Sequence, residues 1–218
     1  PEEVYENINM IYNVSSINEL QLLLDTLYST RHPLLNKYLM TYKGLTVQTN
    51  IKATAAQYDK KYAQAKQLWL KVSMEDISQS DVLLLAVILK DEELYNLIVP
   101  MFNLSNKEGR ILKSIVLNEP MNKIVLTSTI EEILLTIITQ LIVLQEFDLF
   151  EQITGVILSH NNLAIKCKLC NVLFSYGFTE IAIDLLAKCF EEQPNNIEVL
   201  RLIGDVCLKA DYLEDAQL

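Results

Sequence analysis

The sequence predicts an all-α chain whose short helices nest in antiparallel pairs, and three observations carry that prediction. Only 5 Gly and 5 Pro occur in 218 residues, too few for the tight turns that a sheet protein of this size needs. Half the residues are apolar and 21% are charged; that balance excludes disorder, and the apolar residues fall in runs at helical spacing. Towards the C-terminus, residues of like character recur at an offset of 34.

In chain order, Glu2–Tyr12 and Ile17–Ser29 are the first two predicted helices, separated by Val14-Ser15-Ser16, with Ser16 and Glu19 as a capping box. His32-Pro33 opens a third that runs through Tyr42, with Pro at a tolerated first-turn position, and Lys43-Gly44 closes it. Val47–Gln57 carries Ala53 and Ala56 on one face. Tyr58–Val72 follows, with Tyr62, Ala65 and Trp69 spaced so that the lone Trp wedges between helices rather than stacking on a ligand. Asp81–Lys90 and Glu92–Phe102 form a close pair, the second interrupted by Pro100. Asn106–Leu117 comes next, before Glu119-Pro120. The stretch 121–127 is rich in β-branched residues and its state stays open. Ile130–Leu144 and Leu149–Leu158 make another pair around a turn at Gln145–Asp148, closed by His160-Asn161-Asn162. With no Asn-Gly hairpin signal anywhere, the total is twelve or thirteen helices and no sheet.

The offset of 34 relates Leu169 to Ile203, Cys170 to Gly204, Leu173 to Cys207, and Ala182 to Ala216. Antiparallel helices approach closely only where side chains are small, so Cys170, Ala182 and Cys189 mark the contact within a pair. Leu169, Leu173, Ile183 and Leu186 then interlock as ridges into grooves. Gly177 suits the tight turn between the two helices, Pro194 ends the second, and Asn195 and Asn196 supply turn and cap chemistry for the next.

Lys166, Leu169–Cys170, Leu173, Ala182, Leu186 and Pro194, followed by Leu200, Ile203–Gly204, Cys207 and Ala216, resemble the tetratricopeptide repeat. The resemblance is clearest over 163–218 and weaker at 46–72 and 130–160. Lys166 stands where the family has Trp, and Leu173 and Leu186 stand where it has aromatics. The resemblance implies a right-handed superhelix of stacked antiparallel helix pairs, an α-solenoid. It divides the chain into degenerate helical repeats at 1–128 and regular repeats at 129–218, cut short at the C-terminus. It also implies a concave groove, for which helical facing nominates Asn171, Phe174, Ser175, Glu198, Arg201, Asp205 and Leu208. Family members that clamp a peptide's terminal carboxylate use Lys and Asn. Here Glu198 and Asp205 flank Asn171 and Arg201 and would repel a carboxylate, so a basic or apolar peptide is the expected guest.

No catalytic, cofactor or metal residue is expected. The five glycines are scattered, so no phosphate loop forms, and neither His32 nor His160 neighbours a nucleophile in a triad-like setting. Cys167-x-x-Cys170 has no second half and sits on a helix, which fits buried thiols better than zinc. The carboxylate clusters at Asp91–Glu93 and Glu131-Glu132 fall at helix N-termini, where the dipole favours them. Eight of the ten tyrosines lie in the first half, at helical positions that half-bury them. A net charge of −10 argues against nucleic acid and anionic membrane as partners. No secretory leader is recognisable and no apolar run is long enough to span a bilayer, so the cytoplasm is the expected location.

The sequence therefore reads as a non-catalytic scaffold for a protein or peptide, with homodimerisation as another use of the same helices. A chain that opens on Pro1 and stops inside an amphipathic run reads as an excised piece. One alternative parent is a larger bacterial enzyme such as a glycosyltransferase, whose C-terminal repeats would dimerise it or present its acceptor. A peptide-sensing regulator with a DNA-binding helix outside this window is another.

Overall fold

In the computed structural model the residues described are 17–32, 34–41, 48–120, 126–160 and 162–209. Among them the regular structure is twelve α-helices and one 3-10 turn, with no strand. The expected helix at Glu2–Tyr12, the Ser16 cap, the Lys43-Gly44 stop, the stretch 121–125 and Ala216 lie outside the described residues. By contacts the chain divides into two compact units, Pro1–Leu85 and Ala86–Leu218. The division drawn from the sequence, at 128/129, was placed on the regularity of the residue pattern and not on contacts.

The first unit holds α1 (Ile17–Ser29), α2 (Leu35–Thr41), α3 (Thr49–Tyr58), α4 (Tyr62–Trp69) and the first part of α5 (Gln79–Leu89). Leu24 and Leu27 of α1, Leu35 and Tyr38 of α2, and Ile51 and Ala55 of α3 form its apolar cluster. α2 starts two residues after His32-Pro33 because His32 acts as the cap: its Nδ1 accepts from the Leu34 N–H at 3.2 Å and its carbonyl accepts from the Leu35 N–H at 3.0 Å. α3 packs on α4 more extensively than any other pair, and the small residues expected there, Ala53, Ala56 and Ala65, are buried. Trp69 is fully buried, with its indole N–H donating to Gln57 Oε1 at 2.9 Å. It is a wedge, as its spacing predicted.

The second unit continues α5 and adds α6 (Glu92–Ile98), a 3-10 turn (Val99–Phe102), α7 (Asn106–Val116), α8 (Ser128–Leu144), α9 (Phe147–Leu158), α10 (Leu163–Ser175), α11 (Thr179–Glu192) and α12 (Ile197–Lys209). The predicted helix to Phe102 gives way at Ile98 to the 3-10 turn, because Pro100 has no N–H for an α-helical bond. α8 packs on α9, α10 on α11 and α11 on α12, while α8, α10 and α12 also touch in succession. The turn between α8 and α9 is shorter than predicted. Gln145 and Glu146 suffice, and Asp148 falls in the first helical turn, where the dipole favours a carboxylate. Phe150 is used between pairs: its ring stacks on Phe178 with centroids 5.8 Å apart, and Phe147 meets the same ring edge-on at 6.3 Å.

Six helices end alike. Arg31, Lys60, Lys90, Asn118, Gln145 and Gly177 take left-handed φ values between 50° and 84°. In each case the next residue's N–H reaches the carbonyl five residues back, from His32 to Leu27, Lys61 to Ala56, Asp91 to Ala86, Glu119 to Ser114, Glu146 to Leu141 and Phe178 to Leu173, at 2.8–3.0 Å. This is the Schellman closure of a helix C-terminus. Five of the six positions carry a Cβ that glycine would spare.

Two outcomes follow for stability. A left-handed non-glycine costs about 1–2 kcal/mol, and glycine returns about half of that as extra unfolded-chain entropy. Lys90→Gly and Gln145→Gly should therefore each raise the urea-unfolding free energy by about 0.5–1 kcal/mol, whereas a helix-interior Gly lowers it. The second outcome concerns the α7 capping box. The Glu108 carboxylate accepts from Thr127 Oγ1 at 2.6 Å, and from the Ser105 hydroxyl and amide at 2.7 and 2.9 Å. Thr127 first, then Ser105, holds it down to a pKa of about 2, against an ordinary 4.5. A depressed folded-state value adds stability above the unfolded value, which is lost as pH falls through the folded one. The stability gap between wild type and Glu108→Gln should be constant above pH 5 and close between pH 4.5 and 2 in chemical-denaturation curves.

Candidate functional site

The sequence nominated a polar face on the first helices of the last two pairs, α10 and α12. Both are aimed by their caps. Asn162 accepts from the Ala164 N–H at 3.1 Å to start α10, while its amide donates to Glu131 Oε1 at 2.6 Å and so ties that start to α8. α11 stops at Glu192, two residues before Pro194. Asn196 then starts α12 by accepting from the amides of Glu198 and Val199 at 3.0 and 3.3 Å. Gly177 takes the turn expected of it, with φ 84°.

Between α10 and α12 lies a depression of about 210 Å³ lined by Cys167, Asn171, Glu198, Arg201, Leu202 and Asp205. Four of the seven nominated residues, Asn171, Glu198, Arg201 and Asp205, thus share one concavity. Phe174, Ser175 and Leu208 do not line it. They sit further along their helices, with Phe174 half-buried and the Ser175 hydroxyl turned back to the Asn171 carbonyl at 2.7 Å. Cys167 and Leu202 are buried and form the floor. The rim carries two carboxylates and one guanidinium. Arg201 and Asp205 approach only to 3.9 Å, and both are well exposed, so their attraction is weak and leaves both free to meet a ligand.

The within-pair contact is as the small residues predicted. Cys170, Ala182 and Cys189 are buried, with Leu169, Leu173 and Leu186 around them, while Ile183 is half-buried. Gly204 is half-buried too, and a Cβ built there meets nothing within 4 Å; its expected counterpart, Ala216, is outside the described residues. Burial pushes the Cys167 thiol up to about 11, and Cys170 higher still, each helped by a neighbouring thiol; Cys189 is raised for the same first reason. Thiols held protonated are poor nucleophiles and poor metal ligands. Among the described residues no three His, Cys, Asp or Glu side chains are grouped to share a metal ion.

Lys166, the departure from the repeat pattern, is nearly buried. Its ammonium donates to both oxygens of Glu192 at 3.0 and 3.2 Å, joining the start of α10 to the end of α11. The stem fills the apolar slot and the charge leaves by the edge. A second polar network, in the first unit, was not foreseen. Asp81 of α5 is fully buried and accepts from Arg31 Nη2 at 3.0 Å and Nε at 3.4 Å, while Arg31 lies over the Tyr28 ring at 5.4 Å. The Asp81 carbonyl accepts from Gln57 Nε2 at 2.8 Å, and Gln57 holds Trp69. The sequence signal was an acid heading an otherwise apolar run; its partner stands 50 residues away. Every group in it faces a protein partner, so it braces helices.

Exposure and protonation predict the order of thiol chemistry. Iodoacetamide at pH 8, read by peptide mass spectrometry, should alkylate half-buried Cys207 at least ten times faster than Cys167, Cys170 or Cys189 in the native chain. The difference should vanish in urea. Comparison with known proteins returns no matching family model, no matching curated protein and no matching solved structure.

Proposed function

We propose that the chain is a non-catalytic interaction scaffold whose tetratricopeptide-like helix pairs stack into a right-handed solenoid, with a peptide lying across α10 and α12. The observation that carries the reading is the shared depression of Asn171, Glu198, Arg201 and Asp205. Stacked pairs present successive first helices on one side, and the succession of α8, α10 and α12 contacts is what such stacking needs. In this reading Asn171 and Arg201 hydrogen-bond the backbone of an extended peptide, and Glu198 with Asp205 selects cationic side chains. Each is a weak, exposed interaction, so affinity comes from several together and is modest.

Extended octapeptides carrying Lys should shift the amide resonances of α10 and α12, and Glu-bearing counterparts should not. Reversing the rim with Glu198→Lys and Asp205→Lys should weaken the Lys peptides at least tenfold, about 1.4 kcal/mol. Peptides of either sign leaving both helices unperturbed would refute the reading.

A further inference from the structure

We propose that the peptide held at the α10–α12 depression is bipolar. About three residues from its Lys or Arg it carries an acidic side chain, which rests on Lys168 in an equivalent notch between α8 and α10. The inference rests on the scaffold reading and deepens it by fixing the charge pattern of the guest.

The left-handed turns give the register. Gln145 and Gly177 stand 32 residues apart and close their helices by the same bond, from Glu146 to Leu141 and from Phe178 to Leu173. At that offset Ile137, Ile138 and Leu141 of α8 fall on Leu169, Cys170 and Leu173 of α10, and all six are buried. Ile153 and Ile157 of α9 fall on Leu185 and Cys189 of α11, again all buried. The α8–α9 pair therefore repeats the α10–α11 pair, at 32 residues where the spacing from α10 to α12 is 34.

The residues of the depression can be carried one pair upstream in this register. Cys167 and Asn171 of α10 have Leu135 and Thr139 as counterparts on α8. Glu198, Arg201, Leu202 and Asp205 of α12 have Ala164, Cys167, Lys168 and Asn171 on α10. α8 touches α10 as α10 touches α12, so this second set borders a notch of the same kind.

Its charge is the reverse. The depression has two carboxylates and one guanidinium, whereas Lys168 is the one charged group of the notch. Lys168 stands at the place of buried Leu202, yet it is exposed. Among the described residues it enters no ion pair, not even with Glu132 one turn before Leu135. Thr139 donates its hydroxyl proton to the Leu135 carbonyl at 2.9 Å, and Leu135 is half-buried. An ammonium on an apolar ledge calls for a carboxylate. Packed helix axes lie about 8–10 Å apart and an extended residue spans about 3.3 Å, which puts the acid about three residues from the base. Both contacts are exposed, so they select among peptides more than they tighten them.

The test titrates the whole 218-residue chain with octapeptides of Ala, Ser and Gly carrying one Lys, and takes dissociation constants from amide shifts in α10. Two further peptides add a Glu three residues before or after the Lys, and a control puts the Glu next to it. One of the two spaced peptides should bind about threefold tighter than the Lys-only peptide, the scale of one exposed ion pair. It should also shift α8, and the adjacent control should gain nothing. Lys168→Glu should turn the gain into a loss and leave the melting temperature unchanged. A spaced Glu that gains nothing overturns the inference. So does a gain that survives Lys168→Glu, which puts the acid on Arg201. If the Lys-only peptide still shifts α10 and α12 in either case, the scaffold reading stands and this inference alone falls. If no peptide shifts them, both fall.

Discussion

Burial of facing helix sides is the constraint on which the pairing rests, and it holds six helix ends in left-handed residues. Each places the following N–H on the carbonyl five residues back, and so turns the chain within two or three residues of the helix. At Arg31, Lys60, Gln145 and Gly177 the helix that follows such a turn packs back on its predecessor. Arg31, Lys60, Lys90, Asn118 and Gln145 adopt this conformation with a side chain present, at φ values of 50–58°. Such strain persists only where the surroundings over-determine it. The helices therefore dictate the turns: burial of the α8 and α9 faces fixes Gln145, and burial of α3 against α4 fixes Lys60. Only at Gly177 does the turn residue itself favour the geometry.

The same burial decides the chemistry of the side chains it encloses. Cys170 and Cys189 let α10 and α11 approach because they are small, and the desolvation that follows keeps their thiols protonated. A charged group in that setting needs a partner. Lys166 finds Glu192 at the pair's edge, and Asp81 finds Arg31. Asp81 is the more demanding case because it is fully buried, and two guanidinium nitrogens, Thr54 and the α5 N-terminal turn share its charge. A buried ion pair of this kind is a poor source of stability but a strict condition on geometry. It requires the end of α1 and the start of α5 to meet in one arrangement.

What the sequence disclosed follows the range of the forces involved. Ile17–Ser29 and the start of α7 at Asn106 were legible because their signal, helical periodicity, is local. The left-handed ends at Arg31, Lys60 and Gln145 were not, since no glycine announced them. The turn after Leu144 was read too long because Phe147 and Asp148 look like breakers until Phe147 is seen against Phe178. The Arg31–Asp81 pair was hidden by separation. For the site, helical spacing said which side of α10 and α12 was polar, and Asn171, Glu198, Arg201 and Asp205 came together. Spacing carries no information on where along its axis one helix crosses another, and so Phe174, Ser175 and Leu208 fell beyond the crossing.

α12 brings these strands of reasoning together, because it carries three different faces. Val199, Leu202 and Val206 are buried against its neighbours, Glu198, Arg201 and Asp205 form a polar face towards α10, and Leu200, Ile203 and Cys207 look into an apolar groove. α12 and α11 together line an apolar depression among the described residues. The polar face of α12 is exposed and only weakly paired, with Arg201 and Asp205 3.9 Å apart. The hydrophobic term on α12 therefore sits with its buried and groove-facing apolar side chains, at about 25 cal/mol for each Å² removed from water, while its polar face adds little to stability.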